Sequence, residues 1–123
     1  MTNGLRKIEL LAPAKNLECG IAAIDHGADA VYIGAAQFGA RQTAGNSTED
    51  IAELTRYAHQ FGAAVYVTVN TIVYEKELHA LEHLLRQLVE MGVDAILVQD
   101  MAVLEIYKKL KAEYVARGYR MPA

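Results

Sequence analysis

At 123 residues the chain is one domain at most, and 53% hydrophobic residues give it enough apolar side chain for a sizeable core. A net charge of −3 argues against a basic nucleic-acid footprint across this segment and does not exclude RNA binding by parts of a protein beyond it. The single cysteine excludes an internal disulfide, and Cys19, inside a helical pattern, reads as a small buried hydrophobe.

Strand one is expected at Ile8 to Leu11, closed by Pro13, which cannot donate to a sheet. Before it, Met1 to Lys7 leads into only a short apolar run, not a signal peptide. No stretch approaches the ~20 apolar residues of a membrane span, so a cytoplasmic protein is expected. Helix one runs from Asn16, a capping residue, to His26, with Leu17, Ile21 and Ile24 at helical spacing. Strand two is Ala30 to Gly34. The loop from Ala35 to Asn46 leads to Ser47, whose spacing to Asp50 resembles a capping box with a shorter acid. Helix two buries Ile51, Leu54, Ala58 and Phe61 and stops at Gly62.

Strand three, Ala64 to Asn70, alternates clearly. Val65, Val67 and Val69 point one way, while Tyr66, Thr68 and Asn70 point the other. Helix three spans Glu75 to Met91 on a stripe of Leu78, Leu81, Leu85 and Leu88. Strand four is Ala95 to Gln99, and helix four runs from Met101 to Arg117, burying Val103, Ile106 and Leu110. The tail Tyr119 to Ala123 begins as another strand would.

One run is used twice. Gly27 to Gly34 (GADAVYIG) returns, loosely rewritten, as Gly92 to Gln99 (GVDAILVQ). Each copy reads as a helix end, a tight Gly-x-Asp-Ala turn and a short strand covered on both faces. Recurring helix, turn and strand mark βα units and a parallel sheet. Four such units make an α/β fold equal to the N-terminal half of a TIM-type (β/α)8 barrel, a fold of ~250 residues when closed. Residues 1–123 are therefore read as a single N-terminal half-barrel fragment of a longer protein, exposing a sheet face and two edges through which it self-associates.

Parallel strands deliver their C-terminal ends to one face, where function sits in such folds. The sequence puts Glu9 in strand one, Gly34 after strand two, Asn70 after strand three, and Gln99 with Asp100 after strand four. With Arg41 from the nearby loop, these acids and amides suit a polar substrate. Asp100 also stands where a cap for helix four belongs, and Asn70 can close a turn. Gly34 to Gly39 lacks both the Gly-Lys-Ser/Thr end of a P-loop and the dinucleotide spacing. His79, Glu82 and His83 match a zinc-peptidase spacing, but the leucine stripe turns them to water, so no metal site is assigned.

A set of pieces in fixed order resembles the collagenase-like peptidase family of unassigned catalytic type. They are Glu9 to Ala14, Asn16 to Glu18, GADAVYIG, Phe38 to Arg41, Tyr57 to His59, Val65 to Thr71 and Gly92 to Ala95. The resemblance covers Lys7 to about Leu110. It implies the N-terminal barrel segment of a bacterial collagenase-like peptidase, a hydrolase by family naming, with the isolated fragment inactive. The alternative is the branch of the family that hydroxylates transfer or ribosomal RNA, with an iron–sulfur cluster on cysteines beyond this segment. No cofactor is expected within the segment, and the substrate is polypeptide or RNA, with no membrane partner. No catalytic role transfers; Glu9, Arg41, Asn46, Asn70 and Asp100 carry over as candidate pocket residues. A phosphate-receiving signalling module is disfavoured because Asn70 stands where its aspartate belongs, and a non-catalytic half-barrel is the remaining alternative.

Overall fold

Four short apolar segments lie side by side in the order in which the chain presents them. A computed structural model describes residues 9–35, 45–69, 78–98 and 101–123. Its elements are β1 (Leu11–Ala14), α1 (Leu17–Asp25), β2 (Ala30–Gly34), α2 (Thr48–Gln60), β3 (Ala64–Val69), α3 (Leu78–Met91), β4 (Ala95–Val98) and α4 (Met101–Ala116). All three strand pairings are parallel, and the sheet order is β1-β2-β3-β4. This is an α/β fold of repeated βα units, compatible with half of a TIM-type barrel.

Register decides which side chains share a face. Ala14 pairs with Ile33, Val31 with Val65, Ile33 with Val67, and Val69 with Val98. This row, buried except for the partly covered Val98, merges with Ile51, Leu54, Leu81, Leu85 and Leu88 from the helices in one core. The other row holds Leu11, Pro13, Tyr32, Tyr66, Thr68 and Leu97. Leu11, Tyr32 and Leu97 on that row remain exposed, so the helices cover one face and leave the other open. Consecutive helices pack on one another, α1 on α2, α2 on α3 and α3 on α4.

The ends of the helices follow from local chemistry. Asn16 Oδ1 accepts the Cys19 N–H at 2.9 Å and Ser47 Oγ accepts the Asp50 N–H at 3.1 Å, satisfying amides that a helix start leaves unpaired. Past the other ends, Gly27 and Gly92 have φ of 97° and 85°, a region that a Cβ disfavours. Gly62 and Gly118 do the same after α2 and α4, so every unit turns out of its helix in the same way. Gly20 serves closeness instead: a Cβ there would meet the Leu54 methyls at 2.8 Å, so α1 sits tightly on α2.

Several expectations are corrected. Strand β1 starts at Leu11 and includes Pro13 rather than ending before it. Leu10 turns its N–H and carbonyl toward Asp29 and Ala30 on the β2 side. Alternation then puts the missing N–H of Pro13 on the outer edge, where no neighbour among the described strands needs it. Cys19 is exposed, not buried, because it lies off the stripe that packs α1. Phe61 is 64% exposed and stacks on Tyr57 at 5.0 Å rather than entering the core. Thr55 is buried in its place and ties its hydroxyl to the Ile51 carbonyl at 2.8 Å. Leu17 and Ile21 are only partly covered.

The tail carries the pattern one step further. Ala123 N–H donates to Asp94 O and Ala123 O accepts from Ile96 N–H, both at 2.9 Å. Those two bonds are a parallel bridge to Ala95, so Ala123 stands at the first rung of a fifth parallel position. Tyr107 donates to the Pro122 carbonyl, and Tyr119 packs edge-on against buried Tyr114 at 5.1 Å, holding the tail down.

Candidate functional site

The two ends of the sheet are built differently. At the N-terminal end, the Gly-x-Asp-Ala turns aim carboxylates at neighbouring backbone. Asp29 Oδ2 accepts the Leu10 N–H at 2.9 Å, and Asp94 Oδ2 accepts the Val65 N–H at 2.8 Å. Asp94 also takes His59 Nε2 at 2.8 Å and Arg120 Nη2 at 3.1 Å. The echo in the sequence therefore specifies a structural latch between adjacent strands. An open cavity of about 450 Å³ lies at this end, between His59, Gly62, Asp94, Tyr119 and Arg120. The His59–Asp94–Arg120 grouping had no signal in the sequence, because its members belong to three different units.

Glu9 lies at this end too. It precedes β1 by two residues and adjoins Tyr66, whose phenol is raised above its ordinary range by desolvation first and then by the Glu9 carboxylate. Glu9 therefore lies near the Tyr66 phenol, ahead of β1 and at the N-terminal end of the sheet. The expectation that it joins the C-terminal mouth is corrected, since the strand begins after it rather than around it.

Asn46 is at the opposite end. Its backbone N–H donates to Gly34 O at 3.0 Å, forming a lone parallel bridge between Ala35 and Asn46. Its side-chain Nδ2 donates to Gly34 O at 3.0 Å and to Lys15 O at 3.1 Å. One amide thus fastens the chain leaving β1 to the chain leaving β2. Glu9 and Asn46 are not brought together. Arg41, Asn70, Gln99 and Asp100 lie outside the described residues.

The histidine motif of α3 faces water: His79 and His83 are exposed. Glu82 is engaged by Arg86, with Nη2 at 3.1 Å, and Arg86 reaches on to Glu113 at 2.6 Å. This seam, with the Tyr114 hydroxyl donating to Glu90 at 2.6 Å, ties α3 to α4. Among the described residues, no three His, Cys, Asp or Glu side chains gather closely enough to hold a metal ion. Among the same residues, no helix is long and apolar enough to cross a membrane.

Comparison with known proteins matches the model of Peptidase family U32 to residues 15–116, most of the chain. The chain belongs to Peptidase family U32. Within that family it is 50% identical over 106 residues to the 23S rRNA 5-hydroxycytidine C2501 synthase of Escherichia coli, covering 86% of this chain and 16% of that protein. It is 41% identical over 106 residues to tRNA hydroxylation protein P1 of Bacillus subtilis, covering 85% of this chain and 25% of that protein. A collagenase of Porphyromonas gingivalis is 28% identical over 107 residues, covering 85% of this chain and 26% of that protein. The chain spans a sixth to a quarter of the length of these U32 relatives. An iron–sulfur cluster needs about four thiolates, and this U32 segment has Cys19 alone, so the residues present do not fit one.

Proposed function

We propose that this chain is the N-terminal half-barrel of a longer U32 protein that hydroxylates RNA. The 50% identity to an rRNA 5-hydroxycytidine synthase carries this reading, and the tRNA hydroxylation protein of Bacillus subtilis supports it. The peptidase reading, placed first on family naming, becomes the second: the collagenase relative is more distant, at 28% identity. In the proposed role this segment supplies scaffold and part of a binding rim, and the hydroxylation chemistry belongs to residues beyond it. Arg41, Asn70 and Asp100 are proposed to join that rim, because parallel strands bring their following loops to one end. The open sheet face, with Leu11, Tyr32 and Leu97 exposed, is proposed to drive self-association of the isolated chain.

Nucleoside mass spectrometry tests the reading. Ribosomal and transfer RNA from a strain lacking the gene should lose a hydroxylated nucleoside that the parent strain contains. Unchanged RNA together with lost collagen cleavage would establish the peptidase reading instead.

A further inference from the structure

The net charge of −3 averages two unlike parts of the chain. Residues 106–123 hold five of its 12 lysines and arginines against a single acid, Glu113, a net of +4, while the rest of the chain carries −7. Helix α4 puts much of that charge on its outer side. Val103, Leu110 and Tyr114 are buried, whereas Lys108, Lys109 and Lys111 are exposed, as are the uncharged Ala112, Val115 and Ala116 that follow. The fold accounts for the two arginines: Arg117 lies 3.7 Å from Glu113 and over the Tyr114 ring, and Arg120 pairs with Asp94 at 3.1 Å. The three lysines have no such account. None makes an ion pair with the described residues, although Glu105 and Glu113 stand one helical turn to either side of Lys109. They also lie more than a turn before α4 ends at Ala116, too far to offset its dipole. At the end of the stripe Tyr119 is 38% exposed between Arg117 and Arg120, with the Arg117 guanidinium 5.3 Å from its ring centroid. A row of exposed cations with an aromatic side chain among them suits a nucleic-acid backbone and its bases.

We propose that the outer side of α4 is a docking surface for the RNA backbone, with Lys108, Lys109 and Lys111 as its phosphate contacts. This rests on the RNA-hydroxylation reading and adds to it the surface on which the RNA is held. Such a surface works by summed charge and counterion release, so it needs no fixed geometry at each ammonium. The test uses the 123-residue chain and a fluorescein-labelled single-stranded oligoribonucleotide of mixed sequence, with anisotropy measured over a series of salt concentrations. Replacing Lys108, Lys109 and Lys111 together by glutamine should weaken binding and reduce the slope of log affinity against log salt by about 1.4 to 2.1, two to three single-strand phosphates. Arginine at all three positions should keep the wild-type slope, because the charge is what the backbone meets. Arg56→Gln, which removes an exposed cation of α2 away from the stripe, should leave the slope unchanged.

Thermal melts in the same buffers separate lost binding from lost folding. If the triple glutamine variant melts, the three single variants decide, each expected to remove about a third of that change in slope. An unchanged slope in the folded variants overturns the proposal, and so does a wild-type chain that does not bind the oligonucleotide. An equal loss of slope in Arg56→Gln overturns it as well, since the charge would then act from anywhere on the surface. Binding to phosphatidylserine vesicles that disappears with the three lysines, while RNA binding persists, would assign the stripe to an anionic lipid surface instead. Each of these failures leaves the hydroxylation reading to its own nucleoside test.

Discussion

Asp94 accepts from a backbone amide, a histidine and an arginine, whereas Asp29 in the equivalent turn accepts one backbone amide among the described contacts. The exposed His59 and Arg120 partners add little, because solvent screens such pairs. The Val65 N–H is different, since it is partly buried and loses its acceptor if the carboxylate goes. Asp94→Ala is therefore expected to cost about 1–3 kcal/mol in urea denaturation, and Asp29→Ala less. The reverse order would mean that the latch at β3 is not what secures the sheet. At this scale the sequence was informative about position and silent about role. The repeated Gly-x-Asp-Ala marked both aspartates, yet spacing along the chain does not say that each reaches the strand beside it. Glu9 stands at the N-terminal end because β1 runs on through Pro13. A proline whose missing N–H faces an open edge costs the sheet nothing there.

Helices and strands were more legible, because periodicity reports burial directly. The alternation of Val65, Val67 and Val69 located β3 and its covered face, and the leucines of α3 fixed its orientation. Polar-tipped core residues escaped that reading. Tyr114 is fully buried between Arg86, Arg117 and Glu90, with Arg117 4.9 Å above its ring. Such a side chain hides its apolar body behind a hydroxyl, and its hydrogen-bond partners Glu90 and Arg86 lie on another helix. The same seam makes a pH prediction. The Arg86 hydrogen bond holds the Glu113 carboxyl below the usual carboxylate range, against a smaller opposing effect of burial. A carboxyl lowered on folding stabilises the fold above its ordinary range, and that contribution disappears as pH falls through the lowered value. Thermal melts of wild type and Glu113→Gln should differ at neutral pH and converge in acid. A gap that stays constant with pH would show that the glutamate acts through packing alone.

The whole molecule is a one-sided layer, helices on one face of a four-stranded parallel sheet and an apolar row open on the other. An uncovered row of this kind favours association. Light scattering on the isolated chain is expected to show species larger than a monomer, and Leu97→Lys should shift them toward the monomer. A monomer at every concentration would mean that the open face is adequately solvated as it stands. Fold class was readable at this scale because helix, glycine turn and strand recur four times. The site was not: Glu9 and Asn46 fall at opposite ends of the sheet, and Arg41, Asn70 and Asp100 lie outside the described residues.

On the proposed function, this segment does the work of the matching segment in an RNA-hydroxylating relative. Exchanging it for the corresponding 106-residue region of the Escherichia coli C2501 synthase tests that claim directly. The chimera would be expressed in cells lacking that enzyme, and hydroxycytidine in 23S rRNA measured by mass spectrometry. The account predicts that the modification returns. A chimera that accumulates folded while the rRNA stays unmodified would contradict it.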